Sequence, residues 1–207
     1  MEYFLQKLNL LDSPNYPDYF RLLTRKTMLL TKLRILTSEK KWTEISDLIK
    51  NTEKNIISYS TIILPQKQSE MLFLISLSFY NLKNLNKAIK YVNAIILNKS
   101  VDYSSPIYRI ARLFNLIMYY ENRDLEYLGY EIRSYKRIFK GKIKPLLLEK
   151  LIFKVVKIDP KFRSKSSNSL TWTRLLSQKE AILNNKHEQQ ILKYFDFLKW
   201  CQQQLFF

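Results

Sequence analysis

From Tyr19 onward, apolar residues recur at Leu22, Leu23, Leu29, Leu30, Leu33 and Leu36, close to the spacing that lines one side of a helix. The polar stretch "SEKKW" interrupts the pattern, and a second series follows from about Thr43 through Ile45, Leu48, Ile49 and Ile56. Pro65 ends the connection or opens the next helix, because proline fits a helix only in its first turn. The sequence then repeats itself. Leu72, Ile75, Leu77 and Phe79 lead to "NLKNL", after which Ala88, Ile89, Val92, Ile95 and Ile96 mark a partner helix. Pro106 opens a third pair, with Ile110, Ala111, Phe114 and Met118 before "ENRDL" and Leu128, Ile132, Tyr135 and Phe139 after it.

The three polar turns superpose. They end at Trp42, Leu85 and Leu125, 43 and then 40 residues apart. An apolar residue follows each three positions later (Ile45, Ala88, Leu128), and another follows at seven (Ile49, Val92, Ile132). Recurrence of one turn with one downstream spacing, at intervals of about 40 residues, is the mark of stacked helix pairs. The expectation is an all-α chain: a single α-helical repeat domain over 1–207, with three antiparallel helix pairs over 19–140 and C-terminal helices and a cap over 141–207. In the last part, Leu147, Leu148, Leu151, Ile152, Val155 and Val156 predict one more helix. "DPKFRSKSSNSLTW" reads as an exposed loop, and helices are expected near 171–184 and 188–204.

The central unit resembles the tetratricopeptide repeat, with Leu72, Ile75, Ser76 and Phe79 on its first helix and Leu85, Ala88, Val92 and Ile95 on its second. Ser76 and Ala88 stand where that family uses small residues for close helix approach. The chain departs from the family in a repeat longer than its usual length of about 34 residues. It also has Ser100 where a closing proline belongs, and Lys40, Lys83 and Arg123 in place of the turn glycine. "IARLFNLIMYYENRDLEYLGYEIRSYKRIF" and "ILKYFDFLKW" are similar to segments near the carboxyl end of tetratricopeptide-like proteins from Bacteroidetes-type bacteria. The resemblance implies an α-solenoid whose concave side, lined by the first helix of each pair, binds a protein or peptide. Mapped onto this chain, that side carries Arg34, Phe73, Tyr80 and Tyr120, with Arg109 and Arg112 on the third pair. Aromatics interleaved with arginine suit recognition of an extended peptide.

Composition adjusts this picture in three ways. With 46% hydrophobic and 14% aromatic residues in 207, the chain can bury a continuous core. With only Gly129 and Gly141, it lacks material for Gly-rich phosphate loops and tight hairpins. The start carries Glu2 where a secretory signal would be basic, and no stretch approaches the roughly 20 apolar residues of a membrane span. A cytoplasmic chain without membrane insertion is expected. The formal net charge of +17 admits a nucleic-acid or other anionic partner.

Residues able to carry out chemistry are few. His187 lies in the polar helix entrance "NNKHEQQ", and Cys201, the sole cysteine, lies in a terminal helix without an evident activating base. Glu121, Asp124 and Glu126 cluster at a turn, where carboxylates favour the start of the following helix. No catalytic residue, metal site or cofactor is assigned. Between 131 and 165, however, twelve basic residues face three acidic ones. Arg133, Lys136, Arg137 and Lys140 follow i, i+3, i+4, i+7 spacing, and Lys150, Lys154, Lys157 and Lys161 follow i, i+4, i+7, i+11. Each set lies along one side of its helix, and antiparallel neighbours would merge them into one positive surface. Three readings are carried forward: a non-enzymatic protein- or peptide-binding scaffold, a nucleic-acid-associated module using the basic faces, and a structural C-terminal segment of a larger repeat protein.

Overall fold

The computed structural model describes residues 2–58, 62–141, 144–157 and 178–206, and among these it contains helices and no strand. In chain order they are α1 (Glu2–Leu11), α2 (Asp18–Ser38), α3 (Trp42–Lys50), α4 (Lys54–Ile57), α5 (Pro65–Asn81), α6 (Leu85–Ile96), α7 (Pro106–Glu121), α8 (Leu125–Phe139), α9 (Leu147–Val156), α10 (Lys186–Leu192) and α11 (Phe197–Phe206). Residues 178–183 are also helical. Pro65 and Pro106 are each the first residue of a helix, where the missing N–H is not needed.

The three repeated turns share one backbone geometry. Lys40, Lys83 and Arg123 have φ of 57°, 60° and 59°, the left-handed region that closes a helix. In each turn the amide of this residue donates to a carbonyl three back: Lys40 to Thr37 (3.1 Å), Lys83 to Tyr80 (3.0 Å) and Arg123 to Tyr120 (3.1 Å). The next amide donates five back, from Lys41 to Leu36 (2.9 Å), Asn84 to Phe79 (2.9 Å) and Asp124 to Tyr119 (3.1 Å). This bond pair is the Schellman ending. The following helix starts at once, with Trp42, Leu85 and Leu125 as first residues. Asn84 and Asp124 cap their helices by accepting from the amides of Lys87 (3.2 Å) and Tyr127 (3.1 Å), whereas Lys41 makes no side-chain cap. The residues three and seven positions on are all buried: Ile45, Ala88 and Leu128, then Ile49, Val92 and Ile132.

Contacts divide the chain into two compact units, 1–111 and 112–207, with the boundary inside α7. In the first unit α5 is the central element, packing on α2, α3 and α6. It is buried without a break from Gln68 to Tyr80, which fits its mostly apolar run from Met71 to Tyr80, broken only by Ser76 and Ser78, rather than a single stripe. Its small residues let neighbours come close. The Ser76 hydroxyl donates to the Ala88 carbonyl (2.8 Å) and the Ser78 hydroxyl to that of Trp42 (3.0 Å), so two second helices are tied to α5 through side-chain-to-backbone bonds.

In the second unit Arg112, on α7, reaches Ser134 (2.9 Å) and Glu131 (3.3 Å) on α8, and α9 packs on α11. Phe114, Phe195 and Phe197 form a chain of edge-on ring contacts. The Trp200 indole N–H donates to Glu121 (2.7 Å).

Two expectations need correction. Ile56 does not extend α3, which stops at Lys50, and sits instead in the short α4. The helix expected over 188–204 is two helices, because Asp196 starts a new one: its carboxylate accepts from the Lys199 amide (2.9 Å) and its carbonyl from that of Trp200 (3.0 Å). The N-terminal segment forms α1, held to α2 by Asp12 bonding Arg25 through both carboxylate oxygens (2.9 and 2.8 Å). The expected loop over 159–172 lies outside the described residues.

Candidate nucleic-acid interface

On α8, Arg133, Lys136, Arg137 and Lys140 are all exposed, as are Lys150, Lys154 and Lys157 on or at the end of α9. Lys161 lies outside the described residues. The core side of α8 is supplied by Leu128, Ile132, Tyr135 and Phe139 and that of α9 by Leu148, Leu151, Ile152, Val155 and Val156, so the helical period alone turns the basic positions outward. The two helices are joined at Tyr135, which hydrogen-bonds Glu149 and meets the Phe153 ring edge-on at 5.2 Å. Lys136 crosses the seam with its ammonium 5.7 Å from the centre of Phe153, a cation–π contact. Phe153 stands three residues after Lys150 and four before Lys157, on their side of α9. The two basic stripes therefore belong to one surface.

Between Arg133 and Lys157 no described residue is an exposed carboxylate, and Glu126, exposed on α8, lies toward that helix's N-terminal end. The two carboxylates between 131 and 157, Glu131 and Glu149, are both buried. Glu131 pairs with Arg112. Glu149 accepts from Tyr135 and from the Leu146 amide (3.1 Å), which caps the start of α9. Among the described residues, none of the seven exposed cations is ion-paired. Seven unpaired charges over two adjacent helices form a persistent positive field, attractive to a polyanion and weakened by salt.

The residues mapped to the concave side fare differently. Phe73, Tyr80, Arg109, Arg112 and Tyr120 are buried, and Arg112 is consumed by Glu131 and Ser134. Tyr120 packs edge-on against Trp200 at 5.7 Å. Arg34 remains exposed, but it grips Glu70 through two bonds of 2.9 and 2.6 Å. Arg34, Arg112 and Tyr120 thus bridge neighbouring helices.

The remaining chemical candidates take structural places. His187 is exposed. Cys201 is fully buried, and burial, reinforced by Asp196, pushes its thiol well above the ordinary range, the opposite of what a nucleophile needs. Asp124 is a helix cap and Glu121 a partner of Trp200. No group of three or more potential metal ligands occurs among the described residues, nor does any helix there have the length and apolarity to cross a membrane.

Lys26 and Glu188 are buried charges that no local sequence pattern marks. Lys26 is wholly enclosed, its ammonium donating to the carbonyls of Ile56 (2.9 Å) and Ser58 (2.8 Å) and to Gln68 (3.4 Å); it closes the end of α4, where free carbonyls collect. Glu188, on α10, accepts from the amides of Leu147 (2.6 Å) and Leu148 (3.3 Å) and so caps α9 from another element. An Asn and a Glu three residues apart commonly form a local capping box. Asn185 does cap α10, but the carboxylate serves α9. Comparison with protein-family models, with curated proteins and with solved structures finds no match to this chain.

Proposed function

We propose that the chain is a non-enzymatic scaffold of stacked, tetratricopeptide-like helix pairs that binds nucleic acid through the basic α8–α9 surface. The observation that carries this reading is the joint exposure of Arg133, Lys136, Arg137, Lys140, Lys150, Lys154 and Lys157, beside Glu131 and Glu149, which are both buried. Such a surface neutralises phosphates and releases counterions, a source of affinity that needs no base recognition. The stacked arrangement is supported by the three superposable turns and their buried downstream positions. For the protein- or peptide-binding scaffold, five of the six mapped residues are buried, so a peptide would have to meet other side chains.

The test is fluorescence anisotropy with mixed-sequence RNA and DNA over a salt series. Binding should weaken steeply with salt and vary little with sequence. Replacing Arg133, Arg137, Lys150 and Lys154 by Gln should leave the helical circular dichroism unchanged and flatten the log–log salt slope by about 2–3, at roughly 0.7 per phosphate contact on a single strand. Absence of binding by the unmodified chain at low ionic strength would overturn the proposal.

A further inference from the structure

The basic face of α8 continues toward its N-terminus into exposed aromatic side chains. Tyr130 is 54% exposed and Tyr127 42% exposed. Tyr130, Arg133, Arg137 and Lys140 follow i, i+3, i+7, i+10 spacing, one line along the outer side of the helix, about 15 Å from first to last at 1.5 Å per residue. Tyr127 flanks this line. Its ring centre lies 6.0 Å from that of Tyr130, and on its other side it leans on the buried Tyr119 at 4.4 Å. Tyr127 is thus braced from beneath, while Tyr130 stands more open to water.

Two neighbours sharpen the geometry. Gly129 bears no side chain, and the Arg133 guanidinium folds back toward it, 3.8 Å from where a Cβ would sit. The first cation of the line is thereby drawn toward the Tyr130 end. Glu126, exposed four residues before Tyr130, places a negative charge at the N-terminal end of the same side. A phosphate chain is attracted along Arg133, Arg137 and Lys140, and since no cation stands on α8 before Tyr130, the tyrosines are what that end of the helix offers a ligand.

We infer that Tyr127 and Tyr130 are a base-stacking platform and that the ligand of this surface is single-stranded nucleic acid. This rests on the phosphate-binding reading of the α8–α9 surface and adds to it a class of ligand. In a duplex the faces of the bases are stacked on one another and closed to a side chain, whereas in an unpaired strand each base offers a face to an aromatic ring without regard to its identity. Aromatic rings beside a cationic track are the arrangement that holds such strands, the track taking the backbone and the rings the bases.

The experiment separates the two claims by using three probes of equal length at one salt concentration: a mixed-sequence single strand, an abasic single strand and a duplex. The unmodified chain should hold the base-bearing strand about fivefold or more tighter than the abasic one. A Tyr127→Leu/Tyr130→Leu variant should lose that preference while keeping the salt slope. Because Tyr127 touches Tyr119, Tyr130→Leu alone serves as a second variant, with circular dichroism and melting to verify the fold, and should lose part of the preference. If both strands bind the unmodified chain equally, or if the folded variants keep the preference, the stacking inference is overturned and the phosphate reading stands. Tighter binding of the duplex likewise overturns the assignment of ligand class. Failure of every probe to bind removes both.

Discussion

Lys26 shows how much a single buried charge can organise. Three acceptors from α4, its exit and α5 converge on one ammonium group, and its burial lowers the lysine pKa from the ordinary 10.5. The folded chain then holds this proton less firmly than the unfolded chain does. The penalty is complete below the lowered folded value and is relieved as pH rises toward 10.5, because stability increases with pH wherever the unfolded state binds more protons. Urea unfolding of the chain and of a Lys26→Met variant should accordingly show their stability difference moving in favour of lysine within that alkaline window. A difference that stays flat would mean that the lysine pKa is not lowered. Nothing in "RKTMLL" marks Lys26 as internal, since its acceptors are 30 or more residues away. Ala88 was legible for the opposite reason: its register is set by a turn only three residues upstream.

At the level of elements, the turns were readable by position and the strain within them was not. Lys40, Lys83 and Arg123 hold the left-handed conformation that glycine adopts without penalty, so the absence of glycine disguised a turn that nevertheless formed. Replacing Lys40 by Gly removes a steric cost of roughly 1–2 kcal/mol against an added unfolded-state entropy of about 0.4–1 kcal/mol. The variant should gain about 0.5–1 kcal/mol in chemical denaturation. A loss would imply that the Lys40 side chain contributes contacts beyond its backbone shape. Helices α2 and α5 to α9 were legible from periodicity because each has a core side or, for α5, a mostly apolar run from Met71 to Tyr80. The break between α10 and α11 was not, since Phe195 and Leu198 continue a helical spacing straight across the point where Asp196 starts a new helix. Of the candidate surface, the basic stripes depended only on helical period, and their described members are exposed. The concave-side residues depended on which sides of the first helices stay uncovered, a matter of packing between elements that are distant in sequence.

For the molecule as a whole, a formal charge of +17 sits on a chain whose contacts fall into two units, and each unit needs its own measure of integrity. Cys201 provides one for residues 112–207. It is the chain's only thiol, fully enclosed, with its pKa pushed upward, so it reacts only when the core around it opens. A thiol reagent should modify the native chain about a thousandfold or more slowly than the urea-unfolded chain, and labelling at near-denatured rates would mean that this core is open in solution. The same atom is therefore a clock fixed inside one core: the ratio of its native to unfolded labelling rates reads the opening free energy of the packing that encloses it.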